Sequence, residues 1–440
     1  MATQQYKLVE AFISADKLGD RELDIASRAF ELTIFESLDA AYLSGLLVMS
    51  DDVGIFSELD ITGTEYVTFK IASVEDGLTP IVEKTFIISK IVKSTKPNDT
   101  TSVLMMHLIE PHVFVNSLKP FSRAYTNPFE KIITQIVTSE LDKNVDLSYL
   151  TDQTTAQGIR KVLVPYLTPL DACTWILDRA TTSNGMPLFL YASIHDNNLR
   201  LGDLDKMLSQ KAFNSKIPYL YSQAATQSSS DLNQLKQATQ ILSYKEAMQA
   251  DMIGLSNLGG IGSYYTNTDA GTGLSYSTHY SVDNVIRDAK RSGTISDTAE
   301  QLIYDQKQKF KEKSVLDHNS VFFHQISSSG TYDTFKSYHD GFTGAEFELK
   351  VRHRAVRNAL YKNMVEMTIS GVAFMVAKAT IGDIVSVNFL KAEATQLGIY
   401  DLKKSGDYLV YGTRHTFRGT THNVAVQMSR ISRDPKTREK

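Results

Sequence analysis

Two histidines near the C-terminus come closest to chemistry by type and spacing: His415 in the run YLVYGTRHTF (408–417), and His422 seven residues later. Imidazole near neutral pH serves as a general base or a metal ligand. Set on a strand, His415 shares a face with Leu409, Tyr411, Thr413 and Phe417, while Arg414 points the other way. His422 opens the strand that returns across the RGTT loop. The two rings can approach each other, but neither strand carries an acid or a nucleophile to complete a catalytic or metal-binding set. The pattern favours scaffold over active site.

The other histidines give no better set. His107 and His112 straddle Pro111, and His318 and His324 lie six apart in DHNSVFFH; neither spacing matches HExxH or a zinc finger. His353 falls in the basic run KVRHRAVR (350–357), which on a strand alternates Val351, His353 and Ala355 against Arg352 and Arg354 and suits an exposed rim. No G-x-S-x-G elbow is present. Ser14 and Lys17 fit S-x-x-K without its companion motifs, and GGIG (259–262) lacks the Lys-Ser/Thr of a phosphate-binding loop. Asp51-Asp52 closes a strand and needs no catalytic role. The expectation is therefore no catalytic residue, no cofactor-binding residue, no metal ligand and no cofactor.

The chain has 440 residues, 42% apolar and 22% charged, with a formal net charge of −4, the balance of a globular protein of several domains. Mild acidity argues against a protein that binds nucleic acid by neutralising phosphates. Cys173 is the single cysteine, so no intrachain disulfide can form. The first residues, MATQQYKLVEAF, have neither the basic start nor the apolar core of a signal peptide. The longest apolar stretches, such as GVAFMVA (371–377), fall well short of the roughly 20 residues of a membrane span, so no integral membrane segment is expected.

The elements that would position these residues are mostly strands. AFELTIF (29–35), GLLVMSDD (45–52), GTEYVTFKI (63–71), FIISKIVKS (86–94) and SVLMMHLIE (102–110) alternate at period two between turn signals, as in a small barrel or sandwich. The pattern changes at Pro120. TNPFEKIITQIVTSEL (126–141) predicts a helix with Asn127 as N-cap and Pro128 at its first position. LTPLDACTWILDRATTSNG (167–185) predicts a second, capped by Thr168 and stopped by Asn184-Gly185, and LFLYASIHDNNLRLGD (188–203) a hairpin. GLSNLGGIGSYYTNTDAGTGLSYS (254–277) reads as a long irregular loop, 297–313 as a charged helix, and strands return from about 345 in AEFELKVRH, NMVEMTISG, GDIVSVNFL, GDYLVYGTRHTF and HNVAVQMSRI.

Two distant regions share a layout. GTEYVTF (63–69), then FIISKIVKS, a polar loop and SVLMMHLIE, is matched by IGDIVSVNF (381–389), then YLVYGTRHTF, the RGTT loop and HNVAVQMSRI. Each has a glycine, an acid, an alternating strand and a terminal strand pair; glycine before an acid suits a strand-entry turn with unusual dihedrals. The resulting expectation is mainly β with α+β: two related antiparallel β-barrel domains, a small α/β (helix-helix-hairpin) domain and an irregular/helical insertion. The boundaries are a first β-barrel over 1–116, a small α/β domain over 117–206, a linker over 207–237 and the start of a second β-barrel over 238–268. An insertion with a helix near 297–313 covers 269–344, the rest of the second barrel 345–433, and a polar tail 434–440.

Three segments, ELTIFESLDAAYLSGLLVMSDDVGIFSELDITGTEYVTFKI (31–71), LKPFSRAYTNPFEKIITQIVTSEL with VPYLTPLDACTWILDRATTSNGMPLFLY (118–141 and 164–191), and ATIGDIVSVNF through YLVYGTRHTFRGTTHNVAVQMSRIS, carry a resemblance in their order and spacing. Together they resemble the baseplate hub protein of contractile-tailed phages of the T-even type, and more distantly the hub part of type VI secretion spike proteins. The resemblance implies a non-enzymatic homotrimer in the tail baseplate of a virion, assembled in the host cytoplasm. Its partners would be a central spike protein, a tail tube protein and other baseplate proteins, with nucleic acid only passing through its channel. Three chains with two similar barrels each would give six similar units, matching a threefold partner on one side and a sixfold partner on the other. Two rival expectations remain: a carbohydrate- or receptor-binding tail module, favoured by 21 tyrosines and the Tyr-rich stretch 264–280, and a hydrolase built on His415 or His422.

Overall fold

The computed structural model describes residues 5–221 apart from 20, 53, 55–58, 60, 74–79, 96–101, 152–157, 179 and 184; residues 239–246; scattered positions and short strands over 253–327; 353, 356, 357, 360 and 361; and 364–430 apart from 391–399 and 402–403. The first part runs β1 (Tyr6–Ser14), β2 (Leu23–Asp24), β3 (Ala29–Ser37), β4 (Ser44–Asp51), β5 (Tyr66–Ser73), β6 (Pro80–Thr95), β7 (Ser102–Ile109) and α1 (Pro111–Leu118). Then come β8 (Phe121–Asn127), α2 (Phe129–Leu141), β9 (Val145–Asp146), β10 (Arg160–Leu167), α3 (Pro169–Leu177), β11 (Leu188–Ala192), β12 (Leu199–Asp203) and α4 (Leu204–Ser209). The rest is β13 (Tyr219–Tyr221), β14 (Ile241–Glu246), β15 (Gly262–Asp269), β16 (Ser275–Ser281), β17 (Lys309–Phe310), β18 (Lys313–Ser314), β19 (Val321–Ser327), β20 (Met364–Ser370), α5 (Gly371–Val376), β21 (Ile384–Phe389), β22 (Gly406–Arg418) and β23 (Thr421–Arg430).

The fold is mainly β. One large sheet runs β14-β20-β23-β22-β3-β4-β7-β6-β5-β1-β2, with β21 attached at β22 and β13 at β21. Within it the same five-strand antiparallel order occurs twice: β3-β4-β7-β6-β5 in the N-terminal part and β14-β20-β23-β22-β21 in the C-terminal part. The irregularities recur as well. The first strand of each set carries a bulge one residue in, between Ala29 and Glu31 and between Ile241 and Ser243. The fourth carries one between Ile88 and Lys90 and between Val410 and Gly412. A bulge shifts every side chain beyond it to the other face, so matching bulges keep matching faces buried.

The strand-entry turn is also built twice. Glu65 accepts from Thr62 N–H at 2.8 Å and its carbonyl from Ile88 N–H at 3.0 Å; Asp383 accepts from Thr380 N–H at 2.9 Å and its carbonyl from Val410 N–H at 2.9 Å. Each turn holds a glycine at positive φ, Gly63 at 102° and Gly382 at 87°, with the first set one place earlier relative to its acid. The layout likeness seen in the sequence is thus a likeness of strand order, bulges and turn hydrogen bonds.

Two cores lie under the sheet. The first joins the N-terminal strands (Ile34, Leu47, Phe69, Phe86, Leu108) to α2 and α3 through Ile132, Ile136, Cys173 and Ile176; the second gathers Met367, Ile384, Leu409 and Val426 with Phe189 and Tyr219. Helix α2 buries Phe129, Ile132, Ile133, Ile136 and Val137 at the expected spacing. Its N-cap is Pro128 and not Asn127, whose amide instead reaches Gln135 at 3.2 Å. Helix α3 starts after Thr168 as expected, but its Leu170 N–H is capped from α1 by the Asn116 carboxamide at 2.7 Å.

Four expectations are corrected. Of the irregular loop expected over 254–277, residues 262–269 form β15 and residues from 275 begin β16, its hairpin partner, with β19 added in parallel; alternating Tyr and Thr outweigh the Gly/Ser content there. Of the helix expected at 297–313, residues 297–308 lie outside the described residues, and 309–310 pair with 313–314 as short strands. The 353–357 end of the basic run is helical where described, with His353 buried, so it is not an exposed strand. Residues 207–221, expected within a linker, place Ala212 and Tyr219 in the second core. The linker stretch 223–234 and the RGTT-equivalent loop TKPNDTT beyond Thr95 lie outside the described residues.

The two glycine turns yield a paired prediction. Gly63→Ala and Gly382→Ala each force a side chain into positive φ and should each cost about 1–3 kcal/mol, measured by chemical denaturation. Gly158→Ala, a positive-φ position with no atom near its Cβ, serves as the control for strain without crowding.

Candidate functional site

The polar groups that could do chemistry converge where the two five-strand sets meet. There β22 pairs with β3, from Gly412 opposite Ser37 to Arg418 opposite Glu31. This register puts Thr413 across from Glu36 and His415 across from Ile34. Glu36 is the acid missing from the two histidine strands. Its partner lies 379 residues away in sequence, on a strand that only the folded sheet brings alongside.

Every lone pair of the Glu36 carboxylate that faces a neighbour is used. Oε1 accepts from Ile194 N–H at 2.8 Å and from the Thr380 hydroxyl at 3.0 Å. Oε2 accepts from the Thr413 hydroxyl and from His415 Nε2 at 3.3 Å. The network continues from His415 Nδ1 to His422 Nε2 at 3.2 Å. From Thr380 it runs to the Ser193 hydroxyl at 3.0 Å, and His195 Nε2 donates to Ala379 C=O at 3.0 Å. Glu36, His415 and His422 are all buried.

Burial pushes the Glu36 carboxyl up, but the hydrogen bond and charge of His415 and the bonds from Thr413 and Ile194 outweigh it and hold the group down at about 2. Glu36 is therefore ionised and only accepts, so His415 Nε2 carries the proton between them. Burial, and then His415, holds His422 well below its ordinary range, so it is neutral. Burial likewise lowers His195.

The His422 ring is closed in on all sides. It stacks on Phe417 at 4.2 Å between centroids and 8° between planes, and lies 5.5 Å from His415 at 17°. Tyr6 meets Phe417 edge-on at 5.1 Å. Gly371, at the start of α5, presses on the far side: a Cβ there would sit 2.0 Å from His422 Nδ1. The crevice beside His422 holds only about 10 Å³, at the lower limit for one water. The acid–imidazole–imidazole chain is buried, and each of its polar contacts joins one strand or turn to another. Its chemistry is that of a clamp.

A second buried knot ties the α/β part to the N-terminal strands. Lys84, 1% exposed, lies 3.7 Å from Glu110 and donates to Asp196 C=O in the β11–β12 turn. Glu110 accepts from Leu43 N–H at 2.8 Å, and His112 Nε2 donates to Ala41 C=O at 2.8 Å. Burial lowers both Lys84 and His112. A third tie links Asp39, after β3, to Arg357, Tyr361 and the bulge residue Tyr411.

The remaining sequence candidates do not assemble. His107 is on β7 and His112 on α1, each in its own surroundings. His318 lies outside the described residues, and His324 stands on β19 opposite Thr266. Ser14 and Lys17 line an open groove of about 390 Å³ beside Glu65. GGIG lies outside the described residues up to Gly262, which begins β15. Asp51 is buried and Asp52 pairs with Arg28 at 2.9 Å. Among the described residues no group of three or more His, Cys, Asp or Glu side chains is arranged to hold a metal ion. No described helix is long and apolar enough to cross a membrane.

No protein-family model matches the chain, and no curated protein does. Solved structures do. The chain is similar to the 43 kDa tail protein of prophage MuSo2 from Shewanella oneidensis, with a TM-score of 0.54 and 12% identity over 97% of this chain and 99% of that one. It is also similar to a tail protein from Neisseria meningitidis MC58, with a TM-score of 0.52 and 12% identity over 98% of both chains. At that identity the likeness establishes a shared fold along essentially the whole length.

The clamp generates three expected outcomes. Glu36→Ala strands four buried donors and should cost about 3–5 kcal/mol, read by chemical denaturation. Gly371→Ala drives a methyl into the His422 ring and should cost about 1–3 kcal/mol. Acid should weaken the fold in two stages. An unfolded His422 binds a proton below pH 6.5 that the native state refuses, so stability falls as pH drops below that value. The contribution of Glu36 is complete above 4.5 and is lost as pH falls toward about 2. Melting temperatures across pH 8 to 3 measure this, and His422→Gln should make the first stage shallower, the buried His195 and His112 supplying the remainder, and leave the second unchanged.

Proposed function

We propose that this protein is a structural hub of a phage tail baseplate or related injection particle: a homotrimer whose two similar five-strand sets make a ring of six similar units. The observation that carries the reading is the doubled strand order, with its bulges and turns repeated at matching places. A chain with two similar units is what converts threefold into sixfold symmetry, because three copies then present six similar faces. One face would meet a sixfold tube protein and the other a threefold central spike, with nucleic acid passing through the middle. The shared fold with the two prophage tail proteins, end to end, supports a place in the virion tail.

A non-enzymatic role fits the clamp, since its acid–histidine chain is buried and holds the two halves of one sheet together. The rival tyrosine-rich glycan-binding surface would lie on β15 and β16, outside the doubled set. The test is the mass of the purified protein by light scattering over a dilution series. A trimer of the 49.1 kDa chain, unchanged by His415→Asn in a sample that remains folded, is expected; a species that stays monomeric at all concentrations and in the presence of its spike contradicts the reading.

A further inference from the structure

Lys84 stands where the pattern of β6 calls for an apolar side chain. Val82, Lys84, Phe86 and Ile88 alternate on one face of the strand, and all four are buried. A buried ammonium is costly unless it is closely paired. This one is held loosely: the carboxylate oxygen it meets, Glu110 Oε1, lies 3.7 Å away, and it donates to the neutral carbonyl of Asp196. Burial holds the Lys84 amine below its ordinary range, the condition under which a lysine becomes a nucleophile.

The groups around the amine are those that amide formation needs. Glu110 is buried and follows directly on β7, whose Ile109 pairs with Ile87, so its carboxyl is carried up beside β6. Glu110 Oε2 accepts from Leu43 N–H at 2.8 Å, and Glu110 N–H donates to Leu43 C=O at 3.2 Å, which fixes the residue at both ends. Asp196, in the β11–β12 turn, accepts from Arg200 at Oδ2. Its Oδ1 is buried with no hydrogen-bond partner among the described residues.

We propose that Lys84 and Glu110 join in an intramolecular isopeptide bond, formed by the folded chain on itself, with Asp196 as the proton relay. The Lys84 ammonium passes one proton through Asp196 to Glu110 Oε1, and the freed nitrogen pair attacks Glu110 Cδ. The pair of the Cδ–Oε2 double bond moves onto Oε2, where Leu43 N–H already stands as an oxyanion donor. A second proton follows from nitrogen through Asp196 to the Oε1 hydroxyl. The Cδ–Oε1 bond then breaks, water leaves, and the pair on Oε2 returns to make the amide carbonyl. One positive and one negative charge vanish together, nothing is oxidised or reduced, and no co-reactant is consumed. The driving force is the exchange of a loosely paired buried ion pair for a neutral amide, and the folded chain supplies the proximity. The bond makes permanent the corner where the N-terminal strands pass into α1.

Intact-mass spectrometry of the purified full chain, denatured after a day at neutral pH, tests this without any substitution. The chain should be lighter than its sequence by one water. Trypsin should no longer cut after Lys84, leaving a branched peptide that joins the Lys84 and Glu110 segments. Lys84→Met and Glu110→Ala should each show the full mass of their sequences. Asp196→Asn keeps the backbone carbonyl that Lys84 holds, so it should stay folded by circular dichroism while most of it remains unlinked over the same day. A wild-type chain of full mass that trypsin cuts after Lys84 overturns the proposal, and so does a water lost elsewhere, such as at a cyclised aspartate. Linkage undiminished in Asp196→Asn overturns the relay.

Discussion

One ionised carboxylate sits where the two halves of the sheet become one. Glu36 is drawn out of water, an unfavourable act on its own, and is held charged by donors from the β11–β12 turn, the segment before β21 and β22 itself. Those donors belong to segments far apart in the chain. Removing the charge would leave them all unsatisfied at once, so the joint between the halves is specific in register as well as held in place. Burying a charge, even one fully hydrogen-bonded, adds little net stability; its value here is in selecting one arrangement. Here the arrangement selected is the angle and register at which one five-strand set continues into the next.

Around that joint the fold is an exercise in repetition with small departures. Both sets turn a corner at the same bulge on their fourth strand, and both enter their fifth, β5 and β21, through an acid-closed glycine turn. The departures are where the halves meet other things. The bulge residue of β22, Tyr411, is tied to Asp39, whereas its counterpart on β6, Ser89, lies on the edge that carries no described strand. The α/β part packs on both cores, contributing Cys173 and Ile176 to the first and Phe189 and Leu204 to the second. It braces the pair from one side and leaves the strand edges at the ends of the sheet to be met by something else.

Much of this was legible in the sequence because strands announce themselves locally. The period-two alternation of 29–35, 45–52 and 63–71 and of the C-terminal runs gave strands that the structure contains, and the glycine-acid signature flagged the two equivalent turns. What local pattern cannot show is which distant strand lies alongside. His415 looked incomplete because its acid was sought on its own strand and its hairpin partner, whereas it stands on β3. Helix α1 was missed because its eight residues follow directly on β7; Glu110-Pro111 was the available signal. The β15–β16 hairpin was hidden by a composition rich in Gly and Ser, although Tyr264, Thr266 and Thr268 alternate as strand residues do.

Two similar units per chain would build a ring of six from three copies. Averaged end-on views of the purified particle by electron microscopy test it most directly. Six lobes around a central opening are expected, with a sixfold signal modulated by a weaker threefold one. Three lobes without the intervening three, or particles with no rotational symmetry at a concentration where the mass is that of a trimer, would contradict it.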